Sequence, residues 1–154
     1  MPYDQITRQV PHGKKDFIFF DNQIMEKINI SGHDQFVQEN LMWESALNLH
    51  KLENAFLKTR LSQVVDKNTD KEFVNLAEHF HNRFLFTDEY IKELFLDIRM
   101  QKELAKKIFP GNQLQAKDIS SRQDKLRSRM KNFEQELESL KEEFNKKLIC
   151  PPYC

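Results

Sequence analysis

Glycine is nearly missing from this chain. Only Gly13, Gly32 and Gly111 occur among 154 residues. A loop that cradles phosphates needs several glycines in close succession, so a nucleotide-binding loop of that kind is excluded. Proline is almost as scarce, at Pro2, Pro11, Pro110, Pro151 and Pro152. Nothing from His33 to Phe109 contains either residue. Cysteine occurs twice, at Cys150 and Cys154 near the C-terminus. Two such thiols make no disulfide framework, and they point to a reducing compartment, the cytoplasm. No apolar run approaches the ~20 residues of a membrane span. Residues 1–15 are polar and lack the apolar core of a signal peptide. Charge of one sign is also missing: Lys+Arg and Asp+Glu both number 24, so the net charge is zero. No global field draws the protein to nucleic acid or to an anionic membrane. No Gly-x-Ser-x-Gly elbow and no His-Glu-x-x-His zinc motif is present.

Helical periodicity fills the space these absences leave. Apolar residues make up 39% and charged residues 31% of the chain. Narrow apolar stripes with wide wet faces fit that balance better than a compact globule does. The clearest stripe is Leu126, Met130, Phe133, Leu137, Leu140, Phe144 and Leu148. Its steps of four and three approach the 3.5-residue repeat that seats one helix on another.

The punctuation predicts three long helices, at about 34–66, 70–108 and 118–149. Lys67-Asn68-Thr69-Asp70 marks the first break, with Thr69 as cap and Glu72 reaching back to it. Pro110-Gly111-Asn112 marks the second. Pro151-Pro152 forbids continuation past residue 149. At 1.5 Å per residue each helix is roughly 45–60 Å long. Residues 1–30 read as an arm or short helix around Phe17-Ile18-Phe19-Phe20, and residues 150–154 as a tail. The predicted fold is all-α, an elongated antiparallel bundle of three helices.

In the first helix Phe36, Trp43, Leu47, Leu57, Leu61 and Val64 share a stripe, which Asn40, His50 and Asn54 interrupt. Met42, Ala46, Leu49 and Phe56 adjoin it, so the apolar face is broad and suits two neighbours. In the second helix the stripe is Phe73, Ala77, Phe80, Phe84, Ile91, Leu94, Ile98, Ala105 and Ile108. A tight hairpin register places Leu57 near Phe80, Leu47 near Ile91, and His50 near Asp88. His50, Asn54 and Asp88 then form a buried polar layer that fixes register.

The run from Leu52 to Leu61, followed by Phe80-His81-Asn82-Arg83-Phe84 and an acidic-hydrophobic helix, resembles small coiled-coil-like helical proteins of Bacteroidota. The resemblance covers the two hairpin helices. It implies a helical fold and brings with it no activity, cofactor or site residue.

Three constellations bear on function. Glu78 and His81 have the Glu-x-x-His spacing of di-iron bundles, but such a site needs the motif twice plus two more glutamates. No metal or other cofactor is therefore expected. Arg122, Lys125, Arg127, Arg129 and Lys131 crowd the first half of the third helix. Glu134, Glu136, Glu138, Glu142 and Glu143 crowd the second. The helix dipole favours the opposite polarity, so helix stability does not explain it; a solvated face with no partner is one reading. A helix lying antiparallel along the stripe from Leu126 to Leu148, basic half on acidic half, is another. The reading is a non-enzymatic helical interaction or adaptor protein, a homodimer or partner-binding module with no membrane. Phe86 and Tyr90 are expected to add apolar surface outside the main stripe. The rival reading is nucleic-acid binding through the basic half. A metal-binding helical bundle is the second rival.

Overall fold

The computed structural model describes residues 32–107 and 111–149, with side chains from residue 34 onward. The expected N-terminal arm, Ile108 and the Cys150–Cys154 tail lie outside the described residues. The chain forms two compact units, Met1–Glu39 and Asn40–Cys154. Helix α1 is Gly32–Val65, α2 is Lys71–Lys106 and α3 is Gln113–Phe144. A π-helical turn, Asn145–Ile149, extends α3. Within the second unit these helices pack as an all-α three-helix bundle.

Local chemistry sets the helix ends. The first turn closes with Lys67 and Asn68 amides donating to the Val64 and Val65 carbonyls. Asn68 Oδ1 then accepts from the Asp70 amide at 3.0 Å. Asp70 itself holds the cap position of α2 and makes no side-chain cap bond. The expected Thr69–Glu72 box is therefore replaced by an Asn68 turn one residue earlier. The third helix starts at Gln113, ahead of the expected 118. Gly111 has φ +88°, a left-handed conformation that glycine adopts without strain. The chain then enters Asn112, whose side chain caps the Gln115 amide at 3.2 Å. That cap lets Gln113 to Lys117 join the helix.

Cross-helix pairs give the directions. Asn54 meets Phe84 and Asp88, and Glu44 meets Lys102, so α1 and α2 are antiparallel. Gln101 meets Gln123, and Arg83 meets Glu143, so α2 and α3 are antiparallel. Asn40 meets Gln123 and Glu53 meets Lys141, so α1 and α3 run parallel.

The core is built from the expected stripes. Leu47, Leu57 and Leu61 of α1 are buried with Phe80, Phe84, Ile91, Leu94 and Ile98 of α2. The whole stripe from Leu126 to Leu148 is buried against them. Phe80, Phe84 and Phe144 make an aromatic knot. Phe144 meets Phe80 edge-on at 5.6 Å and Phe84 at 5.3 Å between centroids. Truncating a fully buried aromatic of this kind costs about 3–5 kcal/mol.

Each helix also contributes one amide to a buried polar relay. Gln123 of α3 donates through Nε2 to Asn40 Oδ1 of α1 at 3.0 Å. Gln101 of α2 donates to Gln123 Oε1 at 3.1 Å and to the Ile119 carbonyl at 2.8 Å. All three side chains are essentially inaccessible to water. Buried amides are tolerated only when paired, so sliding or rotating any one helix breaks at least one link of the relay. Replacing Gln123 alone by Leu should cost about 2 kcal/mol, because Asn40 loses its donor. Replacing Asn40, Gln101 and Gln123 together by Leu should cost little in chemical denaturation but broaden the amide NMR spectrum. A triple variant with sharp native-like spectra would show that the relay does not set the register.

Candidate interaction surface

The stripe expected to receive a partner is not open to one. Leu126, Met130, Phe133, Leu137, Leu140, Phe144 and Leu148 are all 5% exposed or less, facing α1 and α2 of the same chain. Two neighbours within the chain are enough to cover one narrow seam.

The charge polarity of α3 is likewise matched inside the chain. Arg129, in the basic half, pairs with Asp97 of α2 and lies over the Tyr90 ring. Glu143, in the acidic half, pairs with Arg83 of α2. An antiparallel helix with opposite polarity does lie along α3, and that helix is α2. Tyr90, expected as spare surface, packs instead on Phe133 with centroids 5.5 Å apart.

The basic residues do not form one patch. Arg122, Lys125 and Arg129 border a groove beside Asp97 and Met100, on the α2 side of α3. Arg127 and Lys131 line the opposite groove, beside Trp43 and His50 of α1. Acids are interleaved among them, with Arg122 bonded to Asp118 and Arg127 to Asp124. Five cations close in sequence thus straddle the helix, because successive residues on a helix diverge by about 100°.

The polar layer is only partly as expected. Asn54 donates to Asp88 Oδ1 at 2.7 Å and to the Phe84 carbonyl at 2.8 Å. Lys58 also holds Asp88. His50 does not join them. Its Nε2 donates to Glu134 of α3 at 3.1 Å. A four-residue step on a helix advances about 40° around the axis. His50, Asn54 and Lys58 therefore sweep across α1 from the α3 side to the α2 side. Register along the axis does not carry that rotation.

His50 lines a shallow groove of about 550 Å³ between α1 and α3, with Trp43, Met130, Glu134, Leu137 and Lys141. Its Nδ1 is 3.5 Å from Glu53 Oε1 and is buried without a hydrogen-bond partner. Glu53 in turn holds Lys141 at 2.6 Å. The Lys141 ammonium keeps the Glu53 carboxyl below its usual range, against the opposing effect of burial. The groove contains acids, bases and one imidazole, but no Ser, Thr or Cys hydroxyl or thiol to act as nucleophile. Among the described residues no three His, Cys, Asp or Glu side chains gather as metal ligands. Glu78, His79 and His81 are exposed.

What remains is the outer face of α1. Leu41, Met42, Leu49, Leu52 and Phe56 are 44, 69, 57, 69 and 70% exposed. They recur at steps that keep them within about a quarter of the helix circumference. Ser45 and Thr59 share that stripe, and from Leu41 to Thr59 it carries no charge. Ion pairs rim it on both sides, Glu44–Lys102 toward α2 and Glu53–Lys141 toward α3. On the opposite face of the same helix Asn40 and Asn54 are fully buried. The sequence places Met42, Leu49 and Phe56 in a broad face. Two neighbours do not absorb it, because both sit on the asparagine side.

No family model, no curated protein and no solved structure matches this chain. Among the described residues no helix is long and apolar enough to cross a membrane.

Two measurements check the electrostatics. Replacing His50 by Leu should leave the melting temperature unchanged or raise it. The exposed Glu134 regains water, and the unpartnered Nδ1 disappears. A drop of more than about 1 kcal/mol would assign His50 a larger role than packing. Arg83, then Lys147, pull the Glu143 carboxyl down to about 2. A depressed acid stabilises the fold above its unfolded pKa, and that contribution fades as pH falls toward the folded value. Wild type should therefore exceed Glu143→Gln in stability by a constant margin above pH about 5, closing as pH approaches about 2. The margin should not exceed about 1 kcal/mol, since the pair is a third exposed. A margin independent of pH would contradict the assignment.

Proposed function

We propose that this chain is a non-enzymatic helix-docking protein whose binding surface is the outer face of α1. The observation that carries this reading is the inversion on that helix. Two asparagines are inside while five large apolar side chains are in water. Exposed apolar area costs free energy unless something covers it, at about 25 cal/mol per Å². An uncharged stripe bordered by ion pairs has the anatomy of an interface, with an apolar centre and polar rim. A helix with its own apolar stripe is the complementary shape. A cytoplasmic setting belongs to the same proposal, and the sparse cysteines agree with it. The straddled arrangement of Arg122, Lys125, Arg127, Arg129 and Lys131 offers no single track for a phosphate backbone, which disfavours nucleic acid.

The test is to replace Leu52 and Phe56 together by Lys. Both side chains are exposed, so melting temperature and helical circular dichroism should barely change. Capture of a bound protein partner, a second copy included, should fall at least tenfold. Unchanged capture, or a salt-sensitive mobility shift with single-stranded or duplex nucleic acid, would refute the reading.

A further inference from the structure

We infer that the occupant of the α1 stripe is the α1 stripe of a second copy, docked antiparallel about a two-fold axis between Leu49 and Leu52. The inference rests on the helix-docking reading and names its partner.

Sequence spacing on the exposed face supplies the first argument. Met42, Leu49 and Phe56 repeat at seven residues, and Ser45, Leu52 and Thr59 repeat at seven in the alternate position. These are the two seam positions of a heptad. Antiparallel pairing sets Leu49 against Leu52, Phe56 against Ser45, and Met42 against Thr59. Each layer then joins one large side chain to one that is equal or smaller. The large ring of Phe56 gains the space that Ser45 leaves. A parallel, in-register pair would instead stack Phe56 on Phe56 and Ser45 on Ser45. That arrangement alternates overcrowding with voids, and both are destabilising. An isologous two-fold contact demands a surface complementary to itself, and this stripe is complementary only in the antiparallel sense.

Area supplies the second argument. With roughly 150–200 Å² for each fully exposed Leu, Met or Phe side chain, the five leave on the order of 500 Å² in water. Two copies together, with their small flanking residues, would bury about 1,000–1,200 Å², the lower edge of specific interfaces. The dimer should therefore be weak and reversible, forming at tens of micromolar and above. Charge does not oppose it, because Glu44 and Glu53 are held by Lys102 and Lys141 of their own chain.

Sedimentation equilibrium on the full chain is the test, with Cys150→Ser and Cys154→Ser to prevent tail disulfides. The expected result is a concentration-dependent dimer. Leu52→Lys with Phe56→Lys should weaken it more than about tenfold while preserving the melting temperature. A strict monomer at hundreds of micromolar overturns the proposal, whether another protein's helix or another segment of this chain takes the stripe. A dimer that survives the double substitution overturns it as well. Orientation is read by air oxidation. In the antiparallel register two Ser45→Cys positions lie about 16 Å apart along the axis. Ser45→Cys alone should stay unlinked, and an equal mixture with Phe56→Cys should form the mixed disulfide. Self-linked Ser45→Cys, or no mixed disulfide, overturns the register. A monomeric chain whose double variant still loses a captured partner removes self-pairing and leaves helix docking standing.

Discussion

The bundle depends on a buried amide relay, Asn40 to Gln123 to Gln101, with one member from each helix. Apolar burial is not the only constraint on how α1 is turned. That helix has two apolar faces, and the one in water is the more continuous. Rotating α1 by half a turn would bury Leu49, Leu52 and Phe56 and expose Leu47 and Leu57. Such an exchange would also uncover Leu61 and Trp43, while it would bring in Leu49, Leu52 and Phe56. It would, however, strip Gln123 of its acceptor and leave Asp88 without Asn54. An unpaired buried amide costs on the order of 1–3 kcal/mol, and two layers would be broken together. Polar pairing therefore reinforces the rotation that also buries Leu47, Leu57 and Leu61.

That selection explains the distribution of charge. With α1 and α2 set by the relay and the Asn54–Asp88 bond, α3 lies in the groove they form. Its Arg129 then faces Asp97 and its Glu143 faces Arg83, because α2 runs the other way. The basic-then-acidic order on α3 opposes its own dipole and suits its neighbour. Surface pairs of this kind contribute a few tenths of a kcal/mol each. Their larger effect is discrimination, since a parallel α2 would set like charges together.

Much of this was legible in the amino-acid order, and the remainder fails for identifiable reasons. The seam from Leu126 to Leu148 and the Phe80–Ile98 stripe announce themselves because periodicity along one helix needs no knowledge of its neighbours. The antiparallel partner of α3 was legible in kind, from the polarity of its charges. Its identity was not, because a charge pattern does not say whether the matching helix belongs to the same chain. Asn40 reads as an interruption of a stripe until Gln101 and Gln123 are seen beside it. Those two glutamines lie among so many polar residues that no local signal marks them. Axial register alone sets His50 beside Asp88, and only the rotation of α1 about its axis turns it to Glu134. The early start of α3 at Gln113 depends on one asparagine side chain turning back on the Gln115 amide, which composition does not reveal.

The exposed apolar residues of α2 are arranged differently from the stripe on α1. Leu85, Phe86, Leu96 and Met100 are also exposed. Glu89, Lys92 and Glu93 stand between them, with Lys92 bonded to Glu89. A partner helix laid along α2 would have to strip water from those charges, which a few apolar contacts do not repay. Scattered apolar residues of that sort are ordinary on protein surfaces. On α1 the acids and bases stand to either side of the apolar row, and the two asparagines have gone inward. A helix that needed only to cover a core could carry its polar residues outside and its leucines inside. This one has leucines inside at Leu47, Leu57 and Leu61, yet it gives two inward positions to asparagine and carries Met42, Leu49, Leu52 and Phe56 outside, and the proposed docking would cover that outer row.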